Sequence, residues 1–231
     1  MDFSGNQVVV TGGTGALGSA VVGALLAGGA SCVVPYVHDA EAQRFAHRGD
    51  PNVRLLAVSD LADEAQVAKV YAGLKPWASV HIAGGFAAGK VAETGKAALM
   101  AQIDSNLTSC FLCCRAAVNL MLASGGGRIV NVAARPALEW RSGAGMTAYT
   151  VAKAGVAALT VALAQEVAKN GILVNAVAPS TMDTPANRKA MPKATFEVWP
   201  KVEEVAATIL FLASADNRVT RGAIVPVYGK S

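Results

Sequence analysis

Two residues four apart carry the first chemical signal in the chain. Tyr149-Thr150-Val151-Ala152-Lys153 puts a phenol and an ammonium on one face of a helix. An ammonium beside a phenol favours the phenolate and lowers the phenol's pKa, which suits a proton donor working near neutral pH. A plain surface Tyr–Lys pair is the competing reading. The second signal runs from Val8 to Gly18 as an apolar strand, a glycine turn and a helix start. Gly12 permits the tight turn, Gly15 lets backbone N–H groups approach a diphosphate, and Gly18 lets the helix pack on the strand. The free N–H groups and positive end of that helix would face the phosphates. Together these features predict a dinucleotide cradle at Gly12, Thr14, Gly15, Ala16, Leu17 and Gly18, against the alternative of a bare structural turn.

The second strand should end beside the adenosine ribose. An acid there favours NAD, because it accepts from the 2′-hydroxyl and repels a 2′-phosphate. Tyr36 stands at that place, followed by Val37, His38 and Asp39. Tyr36 is neither acid nor base, so NAD and NADP both stay open.

The elements that must position these groups alternate along the chain. Short, β-branched, apolar runs predict strands at Gln7–Thr11, Ser31–Val37, Val53–Ala57, Ser79–Ala83, Gly127–Ala133, Ile172–Val177 and Ala223–Val227. Helical periods between them predict helices at Ala16–Ala27, Ala40–His47, Glu64–Leu74, Lys96–Ala123, Thr147–Lys169 and Val202–Ala213. Repeated βα units imply right-handed crossovers and a Rossmann-type, doubly wound parallel sheet of about seven strands in one α/β domain. The stretch from Pro179 to Lys201 is rich in Pro, Met, Thr and charge and follows a strand, where a substrate lid is expected.

Composition narrows the classes. The 231 residues fit one domain, with 53% hydrophobic and 16% charged residues, as expected for a sheet buried on both faces. A net charge of +4 with scattered Lys and Arg argues against a nucleic-acid partner. No formal charge falls between Phe3 and His38, but eight glycines interrupt that stretch and no basic residue precedes it. It therefore reads as strand, helix, strand rather than a membrane span or leader, and a cytoplasmic location is expected. Cys110, Cys113 and Cys114 share one apolar helical segment, and Cys32 stands apart. No second ligand pair at finger spacing accompanies them, so no metal is expected and they read as core thiols.

With these residues in hand, the chain resembles the short-chain dehydrogenase/reductase family over nearly its whole length. The resemblance rests on Thr11–Gly18, Asp60-Leu61, Ala83-Gly84, Asn106, Asn131, Tyr149 with Lys153, Asn175, and Pro179 to Thr184. It implies a nicotinamide over Tyr149, with Lys153 holding the ribose and lowering the tyrosine pKa. Asn106 would hold a water in a proton relay, Asp60 and Leu61 would border the adenine, and Thr184 would touch the carboxamide. Ala83, Gly84, Gly85 and Pro179 would complete the cofactor site. The family further implies a homodimer or homotetramer paired through the helical segments Lys96–Ala123 and Thr147–Lys169.

Three departures sharpen the reading. Ala16 stands where most of the family has glycine, and His81-Ile82-Ala83-Gly84 replaces Asn-Asn-Ala-Gly. Ala134 occupies the place of the catalytic serine, whose loss can cost about 10²–10³ in rate for a carbonyl substrate. Either Ser142 or Thr147 substitutes for it, or the substrate needs no such donor. The second option fits the dihydropteridine reductase branch, which lacks that serine and reduces a quinonoid dihydropterin. Ala83-Gly84-Gly85-Phe86, the long segment before Tyr149, and the run from Asp183 to Pro192 followed by Trp199 are similar to that branch. Phe86, Ala134, Trp140, Met146, Met182, Met191 and Trp199 are the expected lining of a flat apolar pocket, although any one of them taken singly reads more readily as loop or core packing. Carbonyl reduction and a non-catalytic nucleotide-binding role are the alternatives.

Overall fold

The computed structural model describes residues 1–231. Seven parallel strands form one sheet in the order β3-β2-β1-β4-β5-β6-β7. They are β1 (Gln7–Thr11), β2 (Ser31–Tyr36), β3 (Val53–Ala57), β4 (Ala78–His81), β5 (Gly127–Val132), β6 (Ile172–Pro179) and β7 (Ile224–Val227). The strand order reverses between β1 and β4, so the connections leaving these neighbours go to opposite faces. A crevice opens at their carboxyl ends, where doubly wound sheets bind ligands.

Helices cover both faces because each central strand is apolar on both sides. On one face α1 (Ala16–Ala27) and α9 (Val202–Ala213) bury Leu17, Val21, Leu25, Ile209 and Leu212 against Val8, Val10 and Val130. On the other, α3 (Glu64–Tyr71), α5 (Ser109–Ser124) and α7 (Thr147–Glu166) close over Val9, Ile129 and Val174. The cysteines of α5 lie in this second layer. The connected stretch Lys96–Ser124 and the helix α7 are each long and apolar enough to cross a membrane by length and composition. Here each contributes buried side chains to the sheet's core.

The expected strands and helices are present, with altered ends. The long helix predicted over Lys96–Ala123 is α4 (Lys96–Ile103), a π-helical turn at Asp104–Thr108, and then α5. The helix expected at Ala40–His47 is shortened to α2 (Asp39–Arg44), and two short helices lie outside the expected pattern: α6 spans Arg135–Leu138, and α8 spans Pro185–Ala190 inside the expected lid. Each of the last two begins with proline in its first turn, where a missing N–H costs nothing.

Candidate active site

The glycine turn joins β1 to α1. Gly12 has φ +68°, and a side chain there would meet the Ala83 backbone that follows β4. A Cβ on Gly18 would collide with the Gly12 carbonyl, so only glycine lets α1 dock on its own turn. Gly15 is the N-cap of α1, and no side chain caps that end. The first N–H groups of α1 therefore lack helical acceptors and face the crevice. This cradle fits the diphosphate of a dinucleotide. Ala83 N–H donates to Thr11 Oγ1 at 3.3 Å, stitching the β4 exit to the turn. Tyr36 ends β2, half-buried, while Asp60 is exposed and Leu61 is buried in the core beside it.

Tyr149 and Lys153 project from α7 beneath the crevice. Lys153 Nζ donates to the Val132 carbonyl at 2.8 Å and lies 6.0 Å from the centre of the Tyr149 ring. Burial pulls the Lys153 amine down to about 8 and pushes the Tyr149 phenol up to about 12. The expected acidification of the phenol is thus reversed in this structure. Desolvation disfavours the charged form of both groups, and the amine sits too far off and too desolvated to outweigh it. The Phe86 ring meets the Tyr149 ring edge to face at 5.1 Å.

Asn106 comes from the π-helical turn. Its Nδ2 donates to the carbonyls of Gly85 at 2.9 Å and Gln102 at 3.0 Å. Its Oδ1 is buried without a partner. Gly84 is the gap between this oxygen and Lys153: a Cβ there would strike Asn106 Oδ1 and come within 3.5 Å of Lys153 Nζ. The unpaired Asn106 oxygen thus faces the Lys153 amine across the empty Cβ position of Gly84. The π-turn, common at functional sites, is what turns Asn106 inward.

Behind these groups lies a polar chain that explains the odd histidine. Tyr71 OH donates to Ser79 Oγ at 2.7 Å, and Ser79 Oγ donates to His81 Nε2 at 2.8 Å. His81 Nδ1 donates to Asn131 Oδ1 at 2.8 Å, Asn131 Nδ2 donates to Thr160 Oγ1 at 2.9 Å, and Thr160 donates to the Val156 carbonyl at 2.8 Å. One tautomer of His81 satisfies every link, so His81 ties β4 to β5 and, through Asn131, to α7. His81, Cys110 and Cys114 bring three ligand-type atoms within 4.8 Å, but both ring nitrogens of His81 already serve this chain.

Two adjoining hollows meet at Tyr149. The smaller, about 200 Å³, is lined by Leu17, Gly84, Gly85, Asn106, Val132 and Lys153. The larger, about 610 Å³, is lined by Phe86, Ala134, Met146, Met182, Met191 and Trp199 among others. Trp140 is not among them. It is 74% exposed on a 3-10 turn, with its Nε1–H donated to the Ala137 carbonyl. The sequence expectation of Trp140 in the pocket is therefore corrected: its one polar atom is satisfied locally and its ring faces solvent. Thr147 also lies outside the hollow, whereas Ser142 lines it and donates its hydroxyl to the Glu139 carbonyl at 2.7 Å.

The run that follows β6 forms one connected unit. Arg188 pairs with both oxygens of Asp183 at 2.6 and 2.8 Å, and its guanidinium lies 4.8 Å from the centre of Phe196. Phe196 packs on Trp199 at 5.1 Å. Thr184 is buried and caps α8 through its Oγ1, while Asn187 holds the Met182 carbonyl. Pro179 and Trp199 thereby bound the larger hollow. Most of these contacts involve side chains five to eight residues apart, which is why the run has so particular a sequence.

Similarity to known proteins agrees with this arrangement. A family model described as short chain dehydrogenase matches residues 6–195. A galactitol 2-dehydrogenase of Rhizobium johnstonii is 36% identical over 97% of this chain and 94% of its own length. A 2-dehydro-3-deoxy-L-rhamnonate dehydrogenase (NAD(+)) of a Sphingomonas species is 32% identical over 94% of this chain and 92% of its own. The crystal structure of an oxidoreductase of the short chain dehydrogenase/reductase family from Burkholderia thailandensis superposes with a TM-score of 0.88 at 29% identity. It covers 97% of this chain and 91% of that one.

Proposed function

The chain belongs to the short-chain dehydrogenase/reductase family of NAD(P)-dependent oxidoreductases, and on that premise we propose a reductase acting on a conjugated, electron-poor substrate of the quinonoid dihydropterin class. One observation carries the substrate class. Ala134 offers no hydroxyl to a substrate oxygen, and the one proton of Ser142 is already given to the Glu139 carbonyl. A ketone would have to develop its oxyanion without the donor that such sites supply. A conjugated imine system spreads the incoming charge over its own ring and needs that donor less. The aromatic and thioether walls of the larger hollow suit a flat ring.

When bound, the nicotinamide supplies the hydride. Reduction consumes one hydride and one proton, and Tyr149 Oη is the proposed proton donor. With burial holding the phenol up to about 12, Tyr149 carries its proton throughout the neutral range, the form that reduction requires. Lys153 would hold the ribose, and Asn106 Oδ1 would fix the water that returns a proton towards Tyr149. Thr184 and Pro179 would flank the nicotinamide end; Asp60 and Leu61 would flank the adenine end.

A second reading, reduction of a ketone or oxidation of the matching alcohol, is favoured by the names of the two relatives, both dehydrogenases of sugar-derived compounds. A substrate panel separates the two. Wild type should reduce quinonoid dihydropterin and leave simple ketones nearly untouched; turnover of ketones alone would sink the pterin assignment. Ala134→Ser should raise ketone kcat/KM by about tenfold or more, because it restores a donor at the empty position. No gain from that variant would show that the missing hydroxyl does not set the substrate class.

The lid makes a separate prediction. Arg188 is half exposed, so Arg188→Ala should leave the thermal midpoint nearly unchanged. It should nevertheless raise the substrate KM several-fold with cofactor Kd unchanged, since Trp199 loses its bracing through Phe196. We further propose a cytosolic homodimer or homotetramer, paired through the exposed apolar side chains Phe111 and Leu122 of α5 and Val151 and Val161 of α7.

A further inference from the structure

We propose that Glu41, on α2, selects NAD(H) against NADP(H), taking the part that Tyr36 at the end of β2 cannot play. This rests on the dinucleotide reading above. Thr14 Oγ1 donates to Glu41 Oε2 at 3.2 Å, a contact across 27 residues that joins the glycine turn to the first turn of α2. Thr14 lies between Gly12 and Gly15, in the cradle that would hold the diphosphate. Its partner carboxylate is thereby held beside the turn, on the side where β2 ends and the adenosine ribose must run.

The charges around that point are one-sided. Residues 12–18 contain no charged side chain, and residues 36–41 contain two carboxylates, Asp39 and Glu41, with His38 as the sole basic group. Glu41 takes part in none of the ion pairs of the structure. Arg44, in the last turn of α2, is exposed. Positions 15 and 36 carry glycine and tyrosine, so neither the turn nor the strand end offers a cation to a phosphate. A carboxylate tethered by Thr14 has lone pairs left to accept from a 2′-hydroxyl. The same carboxylate would confront a 2′-phosphate with like charge, a juxtaposition that costs about 30-fold in affinity.

Calorimetric titration of the whole protein with NADH and NADPH, without substrate, tests this. Wild type should bind NADH at least about 30-fold more tightly than NADPH. Glu41→Gln should move the two in opposite directions, tightening NADPH by about tenfold and weakening NADH by a few-fold. Thr14→Val, which frees the carboxylate without removing it, should narrow the preference. Equal binding of both cofactors by wild type, or a Glu41→Gln variant that shifts both alike, would overturn the assignment of Glu41 alone. Binding of neither dinucleotide would bring down the cofactor reading and this assignment with it.

Discussion

Tyr149→Phe is expected to lower kcat by about 10²–10⁴ while leaving cofactor affinity as it was. The substitution removes one oxygen and keeps the ring, so the edge-to-face contact with Phe86 survives. No protein partner accepts or donates at Tyr149 Oη, so no buried group is orphaned by the change. The loss therefore reports on proton delivery and not on packing. Titration of the variant with reduced cofactor, followed by turnover with quinonoid dihydropterin, checks both halves. Undiminished turnover would remove Tyr149 from the reaction. A loss of cofactor binding would instead mean that the phenol helps to hold the nicotinamide end.

The second large effect concerns Lys153 and can be read without any substrate. Its ordinary pKa of 10.5 falls to about 8 through burial, and the residue is only 5% exposed. The folded state thus holds this proton less tightly than the unfolded chain. The sign follows directly: stability contributed at this site is present above pH 10.5 and is lost as pH falls through about 8. The full swing is about 3 kcal/mol. In Lys153→Met the swing disappears. The stability of wild type relative to the variant should therefore climb by about that amount between pH 8 and pH 10.5, measured by urea unfolding across the window. Turnover should fall by about 10² or more, because a bare methyl cannot hold a ribose hydroxyl or the charge beside the phenol. A stability difference that stays flat with pH would show that the amine is not desolvated as the structure has it. A lysine that costs stability when charged, yet is held by the Val132 carbonyl at 2.8 Å, is the pattern of a group kept for chemistry.

Much of the fold was legible in the chain because its signals are local. The seven strands came from short β-branched runs bounded by glycine and charge, and the turn at Gly12–Gly18 from a spacing that only a tight strand-to-helix junction needs. The family resemblance pointed to Asn106, yet the apolar period of Lys96–Ala123 reads as one uninterrupted helix. Nothing in that period marks Asp104–Thr108 as a π-turn, and the bond from Asn106 to the Gly85 carbonyl spans 21 residues. Trp140 reads as a pocket aromatic by type and position, and its outward setting depends on a 3-10 turn and one local carbonyl. His81 reads as a departure from a family pattern, and its role emerges only when β4, β5 and α7 bring Ser79, Asn131 and Thr160 together.

The family resemblance marked the missing hydroxyl at Ala134, while residue type and short spacing by themselves determined the glycine cradle, the phenol and amine on one helical face and the parallel α/β architecture. These depend on backbone geometry within a few residues. Only the tertiary structure decided the direction of the Tyr149 and Lys153 pKa shifts, the unpaired Asn106 oxygen and the tether between Thr14 and Glu41. Desolvation and long-range hydrogen bonds depend on atoms brought in from distant parts of the chain, and no spacing along the sequence encodes which atoms those will be.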